Sequence, residues 1–557
     1  MKAIYFIYLA CLIISGCKSS KETNNLKAGK DSKQTWYCKD YNMDRLPGIS
    51  LDKWYRQNKK KAKKDIIVAI IDTQIDKYHE DLQDKIWVNS NEIANNNIDD
   101  DGNGYIDDIQ GWNFAAKKDS YVVWGNFEYV RIVRELKAFE NQSETTVSKN
   151  DLYNYKEYLR AKKKLEEELS YYRNRLKSLE YSTHIFPIAK DSLKHYFPKE
   201  DYTYAQLDSL YKVYKINDKT FRQRREDNDR DLGAMIGFMM FRLDSYETTL
   251  ADVIESKIQT DSIVNKNLNI NFDERKFIGD NPGILQKGYG SKNISISKEG
   301  HRSFQDHNTK VSGIIAANRN NNTGIKGVVN NVKIMPLTIS YSGDEHDKDI
   351  AMAVYYAVDN GAKIINMSFI KEFSLRQQWV SESFKYAEKH NVLLVHAAGN
   401  EGFDVDKNPT YPSDNSFDGS NEICNNFINV GSITHKLDSS FVSNFSNYGK
   451  QNVDLFAPGD EIFTTAAGNT YKFDSGTSLA APMVSGTAAL IWSYYPNLTA
   501  AEVKQIILDS GTSYYLEVIV PGTEDKKVPF SELSKSGKVL NVYNAMRLAE
   551  KVSKKRK

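Results

Sequence analysis

Six consecutive apolar residues, Ile66-Ile67-Val68-Ala69-Ile70-Ile71, stand between Lys64-Asp65 and Asp72, and all but Ala69 are β-branched. Strand side chains alternate between two faces, so a run with no polar member leaves neither face for water. Such a strand belongs inside a sheet that is covered by helices on both sides. Similar runs recur as Val332-Lys333-Ile334-Met335-Pro336-Leu337, Lys363-Ile364-Ile365-Asn366-Met367 and Asn391-Val392-Leu393-Leu394-Val395, alternating with helix-like stretches at 349–360 and 375–390. Strand and helix in alternation predict an α/β fold, a doubly wound and mostly parallel sheet.

One block breaks the alternation. Residues 115–285 are charged, Tyr-rich and helical in periodicity, as in Lys162-Lys163-Lys164-Leu165-Glu166-Glu167-Glu168-Leu169. Dense charge with apolar residues at helical spacing predicts long, solvated helices such as a coiled hairpin, inserted into the α/β domain. Lys plus Arg (75) nearly balances Asp plus Glu (73), so no global basic field argues for a nucleic-acid partner.

The amino terminus runs from Met1-Lys2 through an apolar stretch at 3–14 to Ser15-Gly16-Cys17, then turns polar at Lys18. The apolar stretch is too short to span a bilayer, and small residues precede the Cys, which predicts an export signal. Ile14-Ser15-Gly16-Cys17 resembles a bacterial lipobox, which implies cleavage before Cys17, lipidation of its thiol and a membrane partner. The expected organisation is a signal at 1–16, a tether at 17–35, the first part of the α/β domain at 36–114, the helical insertion at 115–285, the rest of the domain at 286–550 and a basic tail at 551–557. The expected address is the cell envelope, lipid-anchored at the outer membrane. With Cys11 removed and Cys17 modified, Cys38 and Cys424 remain, and a bridge or two free buried thiols are both open.

Three segments carry chemistry. Asp72 follows the buried strand, where an acid at the carboxyl end of a parallel strand lies at the site-forming edge of α/β sheets. His307 opens His307-Asn308-Thr309-Lys310-Val311-Ser312-Gly313, whose small residues let a helix run close to a sheet. Ser478 lies in Ser475-Gly476-Thr477-Ser478-Leu479-Ala480-Ala481-Pro482, a glycine-containing turn entering a small-residue helix. Serine-based hydrolysis needs a hydroxyl, an imidazole to move protons, a carboxylate to hold the imidazole and donors for an oxyanion. An Asp72 in isolation reads as a helix cap and a lone His307 as a structural residue; the Gly-Thr-Ser-x-Ala-Ala-Pro segment removes the equally bland reading of Ser478 as a capping loop.

The order Asp, His, Ser, together with that segment, resembles the subtilisin-like, or subtilase, family over 66–114 and 289–513. The resemblance implies a serine endopeptidase acting on polypeptides through an acyl-enzyme. Asp72 would orient the imidazole, His307 would act as base and then acid, and Ser478 would attack. The family's oxyanion Asn is matched by Asn400 in Ala397-Ala398-Gly399-Asn400, working with the Ser478 amide. Ser368 resembles the start of a segment that pairs with substrate backbone, and Ala397, Ala398 and Gly399 a wall of the specificity pocket. The chain departs from the family at Asp72-Thr73-Gln74, His307-Asn308-Thr309-Lys310 and Ser368-Phe369-Ile370, each placing a side chain where glycine or a second His is usual. The rival reading is a catalytically silent binding or scaffold protein acting through its helical insertion, which an intact triad speaks against.

A second site is expected in Asp99-Asp100-Asp101-Gly102-Asn103-Gly104-Tyr105-Ile106-Asp107-Asp108. Oxygen ligands at alternating positions, with Gly for the turn, resemble the first half of a calcium loop. Asp99, Asp101, Asn103, the Tyr105 carbonyl and Asp107 are the expected ligands of a structural Ca2+, although Gln110 stands where a bidentate Glu is usual. The acidic loop leading into Gly111-Trp112-Asn113-Phe114 is similar to that of subtilisin-like lipoproteins of the Bacteroidetes type.

Overall fold

The computed structural model describes residues 32–118, 120–296, 303–417, 419 and 421–555. Cys17, the expected signal and most of the expected tether lie outside the described residues. The described chain forms two compact units: one takes residues up to 123 and from 274 onward, the other residues 124–273. The boundaries thus fall inside the expected 115–285, because Ala115, Val122 and Ile278 pack into the core of the sheet unit.

The sheet unit contains β1 (Ile66–Asp72), β2 (Trp112–Asn113), β3 (Val332–Thr338), β4 (Ile364–Met367), β5 (Leu393–Ala397), β6 (Phe427–Ile433), β7 (Leu455–Pro458), the hairpin β8 (Ile462–Ala466) and β9 (Thr470–Asp474), β10 (Thr512–Ser513) and β11 (Lys538–Val539). Nine strands form one sheet in the order β10-β11-β7-β6-β5-β4-β1-β3-β2. Every neighbouring pair is parallel except β10 with β11. The chain grows from β1 to β3 on one side and then restarts at β4 on the other. That reversal makes the carboxyl ends of β1 and β4 the crevice where sites form in such sheets.

Alternation along β1 explains its apolar run. Val68 and Ile70 join a core that includes Val311 and Ile314 of α1 (His307–Ala316) and Leu479 and Met483 of the later helix α4 (Thr477–Tyr494). Ala69 and Ile71 face the opposite core, with Ile350 and Ala353 of α2 (Asp347–Asp359) and Val380 and Phe384 of α3 (Gln377–Lys389). In α4 every residue but Ser478 is buried. A helix apolar on all sides belongs in the interior, and α4 is the spine beneath the sheet. Helices α5 (Ala500–Ser510) and α6 (Val542–Lys555) follow it, and α6 continues through 551–555, where a tail was expected.

The thiols of Cys38 and Cys424 are free and buried, in opposite cores. Burial pushes each up to about 12. Within the sheet unit, Val123 O accepts from Ser342 N at 3.0 Å, and Glu274 Oε1 lies 2.6 Å from His346 Nε2.

The second unit is more than a solvated hairpin. Its helix Leu152–Leu193 has 42 residues, a length of about 63 Å. Leu179, Ile185 and Phe186 of that helix form a core with Met235, Phe238 and Met239 of the helix Leu232–Leu243. Capping boxes at Thr203/Gln206 and Thr249/Asp252 start two further helices by satisfying their first amides.

Candidate active site

Asp72 ends β1 and is 2% exposed. Both of its carboxylate oxygens lie 2.9 Å from Nδ1 of His307, the first residue of α1. A carboxylate facing Nδ1 requires the proton there, which leaves Nε2 as the basic nitrogen. Burial lowers the imidazole pKa, yet the facing Asp72 outweighs it, so His307 is raised above its ordinary value; Lys310 opposes this and Asp474 adds to it.

Helix α1 is bolted in place around His307. Thr464 Oγ1 donates to Lys310 O at 2.8 Å and Thr465 Oγ1 to Thr309 O at 2.6 Å. Such close approach of α1 to β8 requires Gly313, where a Cβ would meet Thr465 Oγ1 at 2.0 Å. The departures from the family pattern add ties. Asn308 donates through its backbone to Thr73 Oγ1 (3.1 Å) and through Nδ2 to Thr73 O (3.0 Å), and accepts from Ser312 Oγ (2.9 Å). Lys310 pairs with Asp306 (3.1 Å) and with Asp474 (2.9 Å), joining α1 to the strand that precedes the Ser478 turn. Gln74 donates to Ser295 O at 3.0 Å, while its Oε1 is buried without a partner among the described residues.

Ser478 is the second residue of α4, where backbone amides have no intrahelical acceptor. Four residues on, Pro482 lacks the N–H that would bond the Ser478 carbonyl. Ser368, just after β4, supplies the missing donor: its Oγ gives a 2.9 Å bond to Ser478 O. Ser368 in turn accepts from Asn366 Nδ2 (2.9 Å), and Asn366 Oδ1 accepts from Ser485 Oγ (2.8 Å). A buried relay therefore fixes the serine backbone from two turns down its own helix.

Asn400 follows β5. Its Oδ1 accepts from Thr477 N (2.9 Å) and Thr477 Oγ1 (3.0 Å), and the backbone donor settles the amide orientation, leaving Nδ2 free to point elsewhere. Asn400 Nδ2 and Ser478 Oγ lie 3.5 and 2.9 Å from one point, the position a Cβ on Gly476 would take. Gly399 (φ +107°) permits this approach, since a Cβ there would meet Asn447, Glu401 and Ile370 at 2.3–2.8 Å. Ala397 and Ala398 are buried beside it. Burial raises the Glu401 carboxyl to about 7 even though Asn447 Nδ2 donates to it at 2.7 Å.

Sequence reasoning named Asp72, His307, Ser478, Asn400, Ser368 and the wall at 397–399, and all of them stand at the carboxyl ends of β1, β4 and β5 or at the amino ends of α1 and α4. Asn366, Thr477, Ser485 and Asp474 were missed. A proline four residues after the serine was the available signal for a carbonyl in need of an outside donor.

The acidic loop needs correction. Glu92, Asp99 and Asp101 present oxygens within 4.8 Å of one another. Asp107 is not in this cluster; Lys292 Nζ (2.9 Å) and the amides of Asn96 and Asn97 hold its carboxylate. Glu92 instead accepts from the amides of Asp100, Asp101 and Asp107, a position upstream of the motif that alternation could not reveal. Asn103 Oδ1 accepts from Tyr105 N (2.8 Å), and the Tyr105 ring is buried against Trp112, Phe114 and Tyr356, which fixes the turn.

The model of the subtilase family matches residues 63–532. Over 220 residues the chain is 36% identical to the thermophilic serine proteinase of Bacillus sp. (strain AK1), covering 38% of this chain and 50% of that protein. It is 32% identical over 222 residues to the cell wall-associated protease of Bacillus subtilis (strain 168), covering 40% of this chain and 23% of that one. To subtilisin DY of Bacillus licheniformis the identity is 29% over 243 residues, 42% of this chain and 83% of the relative. The chain thus spans half or less of the first two relatives. Among solved structures, proteases from Pseudoalteromonas arctica PAMC 21717 align with 26% identity and a TM-score of 0.36, over 44% of this chain and 70% of theirs.

Proposed function

Because the chain belongs to the subtilase family, we propose that it is a serine endopeptidase whose triad is Asp72, His307 and Ser478. The observation that supports this most is the pairing of both Asp72 oxygens with His307 Nδ1 at 2.9 Å, with Asn400 just past the end of β5 and Ser478 at the amino end of α4. Substrate backbone lies along 368–370 as an added strand, with its side chain against Ala397, Ala398 and Gly399. Ser478 Oγ attacks the scissile carbonyl carbon while His307 Nε2 takes its proton. The carbonyl oxygen, now an anion, accepts from Asn400 Nδ2 and the Ser478 amide. His307 returns the proton to the leaving amine, the C–N bond breaks and an acyl-enzyme remains. Water, deprotonated by the same Nε2, releases the acid and restores the serine.

The carboxylate cluster at Glu92, Asp99 and Asp101 fits a structural Ca2+. Hard oxygen donors so close repel one another unless a cation sits among them. The ion would brace the loop that runs into β2 and take no part in the chemistry. We place the protein in the cell envelope, held by a lipid on Cys17; among the described residues no helix is long and apolar enough to cross a membrane.

Ser478→Ala tests the assignment. The variant should fold and melt as wild type while hydrolysis of a chromogenic peptide disappears, because the hydroxyl is the attacking atom and little of the packing. Undiminished hydrolysis by the purified variant would refute it.

A further inference from the structure

Residues 58–65 cross the sheet unit at the end away from the active site. Lys63 N donates to Ser493 O at 2.7 Å, Asn58 Nδ2 to Tyr494 OH at 2.9 Å, and Tyr494 OH to Lys60 O at 3.1 Å. Ser493 and Tyr494 close α4, the helix whose second residue is Ser478, so about 22 Å of helix separates the two ends. Strand β1 agrees: it starts beside this segment at Ile66 and finishes at Asp72.

The surface here is strongly basic. Within 59–64 only Ala62 is not lysine, and each lysine is exposed. Helix α6 lies alongside, joined by a chain of ion pairs from Lys60 Nζ to Glu550 (2.8 Å) and from Glu550 to Lys554 Nζ (3.1 Å). Its inward face is Val542, Ala545, Met546 and Ala549. Arg547, Lys551 and Lys555, at spacings of four, share the exposed face. Asp65 and Glu550 are the only acids in the two segments. Asp65 accepts from Asn331, and Lys60 and Lys554 pull Glu550 down to about 2. Lysines in a last helical turn complement the helix dipole, which accounts for Lys554 and Lys555 but not for Arg547 or the 59–64 run.

We propose that this surface docks the protein on a bilayer rich in anionic lipid headgroups, turning the Ser478 end of the fold away from the bilayer. It does not rest on the peptidase reading, and α6 with Lys59, Lys60 and Lys61 lies outside the family-matched residues 63–532. Lysine ammonium groups act as point charges suited to a field of headgroups. A nucleic-acid groove would offer exposed aromatic rings for bases, whereas Tyr543, the one aromatic side chain of these segments, is half-buried with Lys53 Nζ 4.8 Å over its ring.

The test is vesicle flotation of the full chain carrying Cys17→Ser, so that no acyl chain contributes. Vesicles of phosphatidylcholine with roughly one third phosphatidylglycerol should bind it, pure phosphatidylcholine should not, and binding should fall as salt rises. Lys61, Lys64, Lys551 and Lys555 make no ion pair among the described residues, so their replacement disturbs little. Lys61→Glu/Lys64→Glu/Lys551→Glu/Lys555→Glu should weaken flotation at least about tenfold with melting temperature and peptide hydrolysis unchanged. The matching Gln variant should lie between, which keeps the test valid if charge reversal impairs folding. Equal flotation on both vesicle types, unchanged flotation of the Glu and Gln variants, or tighter binding to duplex DNA at the same salt would overturn the proposal.

Discussion

Gly313→Ala tests how the fold holds His307. A Cβ there would stand 2.0 Å from Thr465 Oγ1 and 3.0 Å from Thr465 Cβ. Ordinary contact is about 3.5 Å, so the overlap with the hydroxyl is about 1.5 Å. Relief has two routes. Thr465 can rotate, breaking its 2.6 Å bond to Thr309 O and leaving its own buried hydroxyl without that acceptor, at about 1–3 kcal/mol. Alternatively α1 lifts from β8 by about 1 Å, an overpacking cost of about 1–3 kcal/mol. The first route releases a tie on the amino end of α1 and the second moves it, and a reacting group misplaced by about 1 Å loses on the order of a hundredfold in rate. Thermal melting and steady-state hydrolysis of a chromogenic peptide read both effects. The variant should melt a few degrees lower and lose about a hundredfold in kcat/KM, with Gly313→Ala/Thr465→Ala recovering part of each. Wild-type melting and rate for Gly313→Ala alone would refute the reasoning.

His307 must be neutral to act as base, and its pKa is raised, so the acid limb of kcat/KM should lie above the ordinary imidazole value of about 6.5. Lys310→Met removes a charge that opposes protonation and should move that limb higher still; Glu401→Gln, removing a carboxyl that titrates at about 7, should leave it in place. The fold favours protonated His307, so this contribution to stability is full below the unfolded pKa and fades as pH rises through the folded one. Asn400→Ala should lower kcat by about 10²–10³ with little change in KM, the cost known for the corresponding donor in subtilisin. Thr477→Val, which removes one of the two donors to Asn400 Oδ1 and the acceptor of the Gly399 amide, should lose less, again in kcat. Calcium removal should lower the melting temperature, and Glu92→Gln or Asp101→Ala should shrink the calcium-dependent shift, while Asp107→Asn should preserve it. A shift of wild-type size in Glu92→Gln would move the ion elsewhere.

The sheet and the site's main residues were legible for one reason: buried parallel strands are apolar on both faces, so β1, β3, β4 and β5 announce themselves, and functional groups follow at their carboxyl ends. The short strands did not. Two residues, as in β2 and β10, carry no periodicity, and their pairing depends on distant chain. Glu92 escaped because its place in the acidic loop comes from a turn and not from spacing. Lys310 read only as a departure from a pattern, since its partner Asp474 lies 164 residues away in sequence. The helical block was recognisable by its charge, but its own core was not, because Met235, Phe238 and Met239 meet Ile185 and Phe186 only after the chain has turned back.

The direct measurement of catalytic competence is labelling of the purified, calcium-loaded protein with a fluorophosphonate, the modified residue being located by mass spectrometry. One label per chain on Ser478, absent from Ser478→Ala and slowed in His307→Ala, is the predicted result; no label on the wild-type protein, or a label on another serine with Ser478 untouched, would contradict it.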